Sequence, residues 1–417
     1  MAFITREEAK KKIKSIIDSR NPVKTGATLP IRSGETFYVY LIPVEYLVPN
    51  VLNDRIAWRI REFEAEKGRK LSHNCQEDIE FVYDLIEKES PAENSTTLKD
   101  LAEKGQQVDG IITNDGIIID GNRRATLLRK LFKGDAAKFN KNIEDFRFFK
   151  AIVLSEDIDE KEIMALETRL QIGEDKKVEY NPICLYIKVD NLSKMDYNDK
   201  QIAHYMNLTE SKIKEKREIF KLMNEYLETI GKPNHFTLLD GLEDQFINTK
   251  TVFKKMDNGT YETYDWSYSE EDVANFKQVC YDYMRAKFEG KKYRDKLIGR
   301  SSKTNGVFIK KDIWDNFLNH HESIIKSNNP QNEHDWILLG KKQFEANLKD
   351  ATNKLDDVLN EKNISSLVST ISTKLNTLKE FLDNSEEILE DDYIRLKDAS
   401  NLLQQIVRDY KNDAIRE

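Results

Sequence analysis

The alternation of apolar and polar residues is most informative between residues 115 and 132, which read DGIIIDGNRRATLLRKLF. Residues 116–119 form a short apolar run, and the turn-forming residues Asn114-Asp115-Gly116 lead into it. Asp120-Gly121-Asn122 ends the run. Apolar residues then recur at helical spacing, at Ala125, Leu127, Leu128, Leu131 and Phe132. The pattern predicts a strand, a tight glycine turn and a helix.

Arg123 and Arg124 fall in the first turn of this predicted helix, directly after Gly121 and Asn122. Free backbone N–H groups and the positive end of the helix dipole favour an anion at such a position. Guanidinium groups also bind phosphate oxygens in a planar, bidentate manner. The segment therefore predicts a phosphate site in which the amides of Gly121 and Asn122 assist the two arginines. The alternative is that both arginines cap a surface helix and pair with carboxylates.

Similar patterns predict the elements around this segment. Residues 39–48 form a strand-like run that ends at Pro49, and Asn53-Asp54-Arg55 follow in a loop. Residues 55–90 contain two sets of apolar residues at helical spacing, which predict two helices. Residues 95–105 predict a short helix with a Ser/Thr start and a glycine stop. The remaining predicted elements are strands at 106–112 and 146–154 and helices at 6–20 and 160–170.

This order of elements resembles the N-terminal domain of ParB partition proteins and the wider ParB/sulfiredoxin superfamily. In that family a helix, a glycine, a Q-x-hydrophobic strand, a second strand and a GxxR helix cradle a nucleoside triphosphate. Here the box reads Gly121-Asn122-Arg123-Arg124, and the resemblance covers about residues 37–227. It implies an α+β fold, with a small mixed sheet and helices followed by a mostly α-helical body and a helical C-terminal tail. It also implies CTP or ATP as the ligand, together with magnesium.

The chain departs from the family pattern at two positions. ParB proteins carry an E-N-x-x-R segment after this domain, whereas this chain has Glu167-Thr168-Arg169, and Asn122 replaces the usual glutamate of the box. The preferred base and any hydrolysis are therefore open. The resemblance makes Glu167 the candidate catalytic carboxylate that assists through magnesium, since a triphosphate needs a cation with hard oxygen ligands. The alternative is a helix carboxylate that pairs with Arg169 or Lys161.

Residues 199–206 and the stretch from Glu210 predict two helices joined by a turn at 207–209. With the small Ala203 at the helix crossing and Ile213 pointing inward, this unit resembles a helix-turn-helix, which ParB proteins have directly after the nucleotide domain. Its second helix would present side chains for contacts with the DNA backbone or base edges. These are Ser211, Lys212, Lys214, Lys216 and Arg217. Interleaved glutamates dilute the charge, and helical packing or protein contacts are the alternative.

The rest of the chain reads as helical. Residues 230–340 carry many irregularly spaced aromatics, which predict an aromatic core. The tail has apolar residues at heptad spacing, which predicts either a helical hairpin within the chain or a coiled coil that forms a homodimer. These residues are Ile364, Val368, Ile371, Leu375, Leu378 and Leu382. The predicted segments are 1–35 (helix and loop), 36–160 (nucleotide-binding), 161–230 (helix-turn-helix-like), 231–345 (aromatic-rich, helical) and 346–417 (tail).

Composition narrows the class of protein. The net charge is −8 and the pI is about 5.6, which argues against coating of nucleic acid by bulk charge but not against one local basic patch. The apolar runs are too short for a membrane helix, and the N-terminal helix of mixed charge is not a signal peptide. Three distant cysteines exclude a disulfide framework and a cysteine zinc site, and the histidine spacing predicts no metal–histidine site. We therefore expect a cytoplasmic protein without a membrane partner.

Three functions fit these patterns. The first is a nucleotide-gated, DNA-binding or DNA-defence factor of bacterial or phage type that binds and hydrolyses CTP or ATP. The second is a superfamily enzyme that uses a nucleoside triphosphate, either a defence NTPase that works with a nuclease or a kinase of small molecules. The third is a non-catalytic interaction module with a decayed site. The sequence leaves the choice open, and with it the question of whether the chain is an enzyme.

Overall fold

The computed structural model of this chain describes residues 3–30, 34–172, 181–264, 266–299, 306–383 and 390–413. Its strands are β1 (Lys24–Ala27), β2 (Phe37–Pro43), β3 (Val48–Pro49), β4 (Gly110–Ile112), β5 (Ile117–Asp120) and β6 (Phe148–Val153). Its N-terminal helices are α1 (Arg6–Asp18), α2 (Ala57–Lys67), α3 (Gln76–Glu89), α4 (Pro91–Lys104), α5 (Asn122–Phe132) and α6 (Glu160–Ile172).

The C-terminal helices follow without further strands in the described ranges. They are α7 (Pro182–Lys194), α8 (Asp199–Met206), α9 (Glu210–Thr229), α10 (Glu243–Asp257), α11 (Glu270–Arg285), α12 (Gly290–Lys292), α13 (Lys311–Asn328), α14 (Glu333–Leu339), α15 (Glu345–Asp383) and α16 (Glu390–Asp413). The predicted α+β fold, with a mixed sheet followed by a helical body and tail, is confirmed.

The strands form one mixed sheet in the order β1-β2-β6-β4-β5-β3. The β2–β6 and β4–β5 pairs are antiparallel, whereas β4–β6 and β3–β5 are parallel. Successive residues alternate between the two faces. Ile112 and Ile118 join the core beneath α1, α4 and α5, while Ile111 and Ile119 join the core beneath α6. Because both faces are covered here, residues 110–112 of β4 and 117–119 of β5 read as unbroken apolar runs.

The predicted strand at residues 39–48 is wrong in extent. Strand β2 ends at Pro43, and a 3₁₀ turn over Val44–Tyr46 separates it from the short β3. The turn begins where Val44 N donates to Arg147 O (2.8 Å), directly after a proline that has no N–H for the ladder.

The predicted strand at residues 106–112 is also shorter than expected, because the Gln106 side chain takes the place of a strand there. Its Nε2 donates to Lys150 O (2.8 Å) and its Oε1 accepts from Lys150 N (2.7 Å), on the neighbouring strand β6. Backbone pairing of β4 begins only at Gly110.

The helix predictions hold more closely. Two helices, α2 and α3, lie within residues 55–90 as predicted, and α5 begins at Asn122, so Arg123 and Arg124 are in its first turn. The α4 helix begins earlier than residue 95, because Pro91 occupies its first turn, where proline is well tolerated.

The two helices of the helix-turn-helix-like unit also form as predicted. Asn207 in the turn adopts a left-handed conformation (φ 51°), and the Thr209 side chain caps α9 by accepting from Lys212 N. Ala203 and Ile213 are buried between the helices. Helix α9 runs on to Thr229 and so enters the helical body.

The helical body has an aromatic core, as predicted. The core includes Phe246, Phe276, Phe308 and Trp314, and it extends from Ala57 of α2 to Leu355 of α15. Helix α2 therefore packs into the helical body although it lies within the predicted nucleotide-binding segment.

Apolar side chains of the tail helices α15 and α16 are exposed to solvent in the single chain. Val368, Ile371 and Leu375 of α15 are 39–56% exposed, and Ile394, Leu402 and Ile406 of α16 are 46–59% exposed. The Ile364 side chain lies outside the described part of the structure. The homodimer stays a prediction. Among the described helices, none combines the length and the hydropathy needed to cross a membrane.

Candidate functional site

The turn between β5 and α5 is built around Gly121. This residue caps α5 with φ 91° and ψ 20°, in the left-handed region, and no side chain caps the helix start. A Cβ atom at this position would lie 2.9 Å from the Phe149 ring and 3.1 Å from Arg124 Nη2. The glycine is therefore required both by the backbone conformation and by the close approach of the Arg124 guanidinium. It also leaves the N–H groups at the start of α5 without a side-chain cap.

Carboxylates hold the two arginines of this turn. Arg124 Nη2 donates to Asp120 Oδ2 (2.7 Å), while Arg123 donates from Nη1 to Glu93 and has Nη2 3.7 Å from Glu89 Oε2. Arg123 Nε and Nη2 and Arg124 Nε are nevertheless buried without a hydrogen-bond partner among the described residues. The predicted pairing with carboxylates is therefore present, but it does not use all of the guanidinium N–H donors. A buried donor without an acceptor costs about 1–3 kcal/mol, so these nitrogens favour a ligand that accepts hydrogen bonds.

The two arginines line an open pocket of about 260 Å³, to which the loop after β3 adds Arg55. We call it the arginine pocket, after Arg55, Arg123 and Arg124. Two carboxylates, Asp120 and Glu89, also line it. Its remaining surface includes the apolar side chains of Ile86, Ile119 and Leu170. The pocket thus combines a cationic wall with an apolar wall.

Glu89 is a carboxyl of this pocket whose ionisation is perturbed. Burial raises its pKa, and the opposing effect of nearby guanidiniums, Arg55 first and then Arg123, is smaller. Glu89 is therefore easier to protonate than an exposed glutamate. Once protonated, it no longer neutralises the positive charge of the arginines.

The Asn122 side chain holds the turn in place by hydrogen bonds to two backbone groups. Its Oδ1 accepts from Asn50 N and its Nδ2 donates to Ile118 O, each at 3.0 Å. Asn50 Nδ2 in turn donates to Glu167 Oε1 (3.3 Å), and Glu167 Oε2 lies 3.8 Å from Lys188 Nζ. This buried polar network ties the turn to α6 and α7. The Asn122 side chain is thus a structural brace.

Glu167 lies outside the set of pocket-lining residues, and the magnesium role that the family resemblance suggested stays a prediction. Both Glu167 and Lys188 are only 1% exposed, and Glu167 is not among the residues that line the arginine pocket. A cation at its carboxylate would face the Lys188 ammonium group. Lys188 of α7 is one charged partner of this carboxylate, and the alternative pairing with Arg169 or Lys161 stays a prediction. Among the described residues, Glu89 and Asp120 are the carboxylates that line the pocket.

Helix α6 reaches both the pocket and the helix-turn-helix-like unit. Leu170 lines the pocket, while Arg169 donates from Nη2 to His204 Nε2 of α8 (2.6 Å) and from Nη1 to Pro30 O. Thr168 is buried, and its hydroxyl donates to Met164 O within the helix. The segment that resembles E-N-x-x-R is therefore a connector in this chain.

The five residues predicted to contact DNA divide into two groups. Lys216 packs over the Tyr186 ring (4.4 Å), and burial lowers its pKa, while Arg217 Nη2 lies 2.8 Å from Asp199 Oδ1. These two side chains are engaged within the chain. Ser211, Lys212 and Lys214 are exposed, although Lys212 also pairs with Glu215. None of the five lines the arginine pocket, and their contact with DNA stays a prediction.

Sequence reasoning missed the partners that complete the pocket. Glu89 ends α3 and Glu93 lies in the first turn of α4, so both come from a helix junction that carries no motif. The sequence pattern places Arg55 in a loop and gives it no role in the site. The turn signal of Asn53-Asp54-Arg55, next to a strand of the same sheet, was the one available clue.

Comparison with known proteins gives little beyond this geometry. No protein-family model matches the chain, and no curated protein matches it. One matching solved structure is that of the C-terminally truncated chromosome-partitioning protein ParB from Caulobacter crescentus, complexed with CTP-gamma-S. The alignment covers 51% of this chain and 91% of that chain at 11% identity, with a TM-score of 0.19. A match at this TM-score does not establish a shared function.

Proposed function

We propose that the arginine pocket binds the phosphate groups of a nucleoside triphosphate and that the protein is a nucleotide-gated, DNA-associated factor. The observation that carries the proposal is the set of buried guanidinium nitrogens on Arg123 and Arg124 that lack an acceptor among the described residues, next to a helix start without a side-chain cap. Hydrogen bonds from charged donors to phosphate are among the strongest in proteins. The carboxylates of Asp120 and Glu93 hold both guanidiniums in place for such a ligand.

The lining of the pocket favours a nucleotide over a single phosphate ion. Ligand pockets typically measure about 300–1,000 Å³, and the volume of about 260 Å³ lies just below that range. Ile86, Ile119 and Leu170 supply an apolar surface that a bare anion would not use. A sugar or base would cover this surface while the phosphates face Arg123 and Arg124.

Among the described residues that line the pocket, Asp120 and Glu89 are the carboxylates that could hold magnesium. Hard oxygen ligands of this kind suit the ion, which would neutralise part of the triphosphate charge. Asp120 would then be shared between the ion and Arg124, since it already accepts from Arg124 Nη2.

Helix α6 is the element that would transmit occupancy of the pocket. Leu170 faces the ligand side, and Arg169 is bonded to His204 on the first helix of the helix-turn-helix-like unit. A ligand that shifts α6 would therefore change the contact on α8. This connection supports a gated DNA-associated factor over an isolated nucleotide-binding domain.

Calorimetric titration with CTP, ATP and GTP, each with magnesium, tests the site. We expect one of them to bind wild type and to lose at least about tenfold in affinity in Arg123→Ala, because a hydrogen bond to a charged group contributes about 1.5–3 kcal/mol. Lys130→Ala is the matched control. It removes an ion-paired cation from the same helix, since Lys130 pairs with Glu87, and Lys130 is not among the pocket-lining residues. Equal affinity of Arg123→Ala and wild type would disprove the site.

Nucleotide turnover with and without DNA separates the remaining functions. DNA-stimulated hydrolysis supports the gated factor, whereas turnover that ignores DNA supports a superfamily enzyme that acts on another substrate. If none of the three nucleotides binds, the interaction module with a decayed site becomes the better explanation.

A further inference from the structure

A second cluster of charged side chains lies at the C-terminal end of α2, away from the arginine pocket. Glu62 and Glu66 are one helical turn apart on α2, and His235 directly precedes the 3₁₀ turn Phe236–Leu239. One ligand atom from each of the three residues lies within 4.8 Å of the others. We call this the Glu62–Glu66–His235 cluster. None of its members is among the residues that line the arginine pocket.

The hydrogen bonds around this cluster prepare His235 and Glu62 to act as ligands. His235 Nδ1 lies 3.0 Å from Pro233 O. A carbonyl oxygen can only accept, so Nδ1 carries the proton and Nε2 keeps its lone pair. Glu62 Oε1 accepts from the Thr237 hydroxyl at 2.7 Å, which leaves Oε2 available. Metal-binding histidines and carboxylates in proteins are oriented by partners of this kind.

The electrostatics of the position favour a cation. Two like charges at i and i+4 repel each other on a helix, and a bound cation would remove that repulsion. The cluster also sits at the C-terminal end of α2, where the helix dipole is negative. Glu66 is exposed and can adjust its side chain without disturbing the core.

We propose that the Glu62–Glu66–His235 cluster binds a divalent transition metal ion, with zinc as the best match. One imidazole and two carboxylates suit zinc, and a water molecule would take the fourth position. Ligand bonds of about 2.0–2.2 Å place tetrahedral ligand atoms about 3.3–3.6 Å apart, so the cluster, whose atoms lie within 4.8 Å, closes by a modest side-chain movement.

The ion would act as a clasp between two parts of the chain. Helix α2 lies next to the sheet in sequence, whereas Phe236 is buried in the core of the helical body. A metal bound by Glu62, Glu66 and His235 would fix α2 to the segment that enters this body. This clasp is independent of the nucleotide site.

Zinc titration of the full-length chain, after removal of metals with a chelator, tests the proposal. We expect one equivalent of zinc to bind wild type, to raise its melting temperature and to bind at least about tenfold more weakly to Glu66→Gln and to His235→Asn, each of which removes one of three protein ligands. His320→Asn is the matched control, because His320 is an exposed histidine on α13 outside the cluster. It should bind zinc as wild type does.

Several results would overturn the assignment. They are zinc binding that is unchanged in both cluster variants, no zinc binding by wild type at micromolar concentration, and magnesium binding as tight as zinc binding. Glu66→Gln keeps the test decisive if His235→Asn folds poorly, because Glu66 is exposed. Arg123→Ala should retain zinc, which separates failure of this site from failure of the nucleotide site.

Discussion

Two constraints act on Gly121, one on its backbone conformation and one on the space beside its Cα atom. Its backbone is left-handed, which disfavours any side chain, and the space where a Cβ would stand is filled by the Phe149 ring and the Arg124 guanidinium. The same ring lies against Gly110 at the start of β4. A single aromatic residue of β6 therefore sets how closely the turn and the neighbouring strand approach each other.

Substitution of Gly121 should separate these two constraints. Gly121→Ala is expected to lower the free energy of unfolding by more than the roughly 1–2 kcal/mol that a left-handed alanine costs, because Phe149 and Arg124 must also move. Gly68→Ala is the control, since Gly68 has φ 64° and an added Cβ there would meet no atom within 4 Å. Urea denaturation of both variants measures the difference. Equal losses would show that the contact with Phe149 and Arg124 is unimportant.

The sequence predicted some individual site residues and missed others. Arg123 and Arg124 could be placed because strand, turn and helix follow one another within a few residues. Glu89 and Glu93 could not, since their position depends on how the α3–α4 junction packs against α5. His235 is likewise far in sequence from the glutamates that it approaches, so spacing along the chain gave no signal.

Among the secondary-structure elements, helices were predicted better than strands, for a physical reason. Helices such as α3 and α5 repeat their apolar face several times, which makes the period visible. The strands β3 and β4 have two and three residues, and the sheet is buried on both faces, so no alternation shows in the sequence. The Gln106 side chain adds strand-like pairing that no backbone pattern could reveal.

Helix α9 is joined to α10 by an ion-pair network that should depend on pH. Lys212 and Lys250 hydrogen-bond to Glu215 and lower its pKa from 4.5 to about 2. Because the folded pKa is depressed, the stabilisation is present above about pH 4.5 and is lost as pH falls towards 2. Solvent screening keeps it small, at or below about 1 kcal/mol.

Glu215→Gln should therefore be less stable than wild type at pH 7 and equal to it near pH 2. Chemical denaturation across this range measures the effect. Glu322→Gln, at an exposed position within α13 and away from both ends of that helix, serves as the control and should show no such convergence. If the difference in the free energy of unfolding between Glu215→Gln and wild type stays constant down to pH 2, the ion pairs are not its cause.

For the whole molecule, two helices connect regions that the sequence placed in separate segments. Helix α2 contributes Ala57 to the core of the helical body, and α6 contacts both the pocket and α8. The predicted boundaries at residues 160 and 230 stay predictions. The composition of the chain gave no sign of these connections, because they depend on packing between residues that are distant in sequence.

The exposed apolar stripe of the tail leads to a prediction about assembly. Burial of a leucine side chain contributes about 1.5–3 kcal/mol, so the stripe favours pairing with a second copy of the chain. We expect wild type to sediment as a homodimer and the double variant Ile371→Glu/Leu375→Glu as a monomer, because both side chains belong to the stripe and are exposed in the single chain. Lys374→Glu, on the same helix, is the control for added negative charge. A monomeric wild type would contradict the prediction.

The buried Glu167–Lys188 pair has a consequence for the way this chain can diverge among relatives. Removal of one partner of a buried ion pair typically costs about 3–5 kcal/mol. Replacement of both by apolar residues of similar size would cost far less. The two positions should therefore change together during evolution, and a relative that lacks the glutamate should lack the lysine as well. Asn50 donates to the same carboxylate, so Asn50 should be replaced in the same relatives. Because Asn50 N also donates to Asn122 Oδ1, fewer substitutions of Asn122 would then be tolerated.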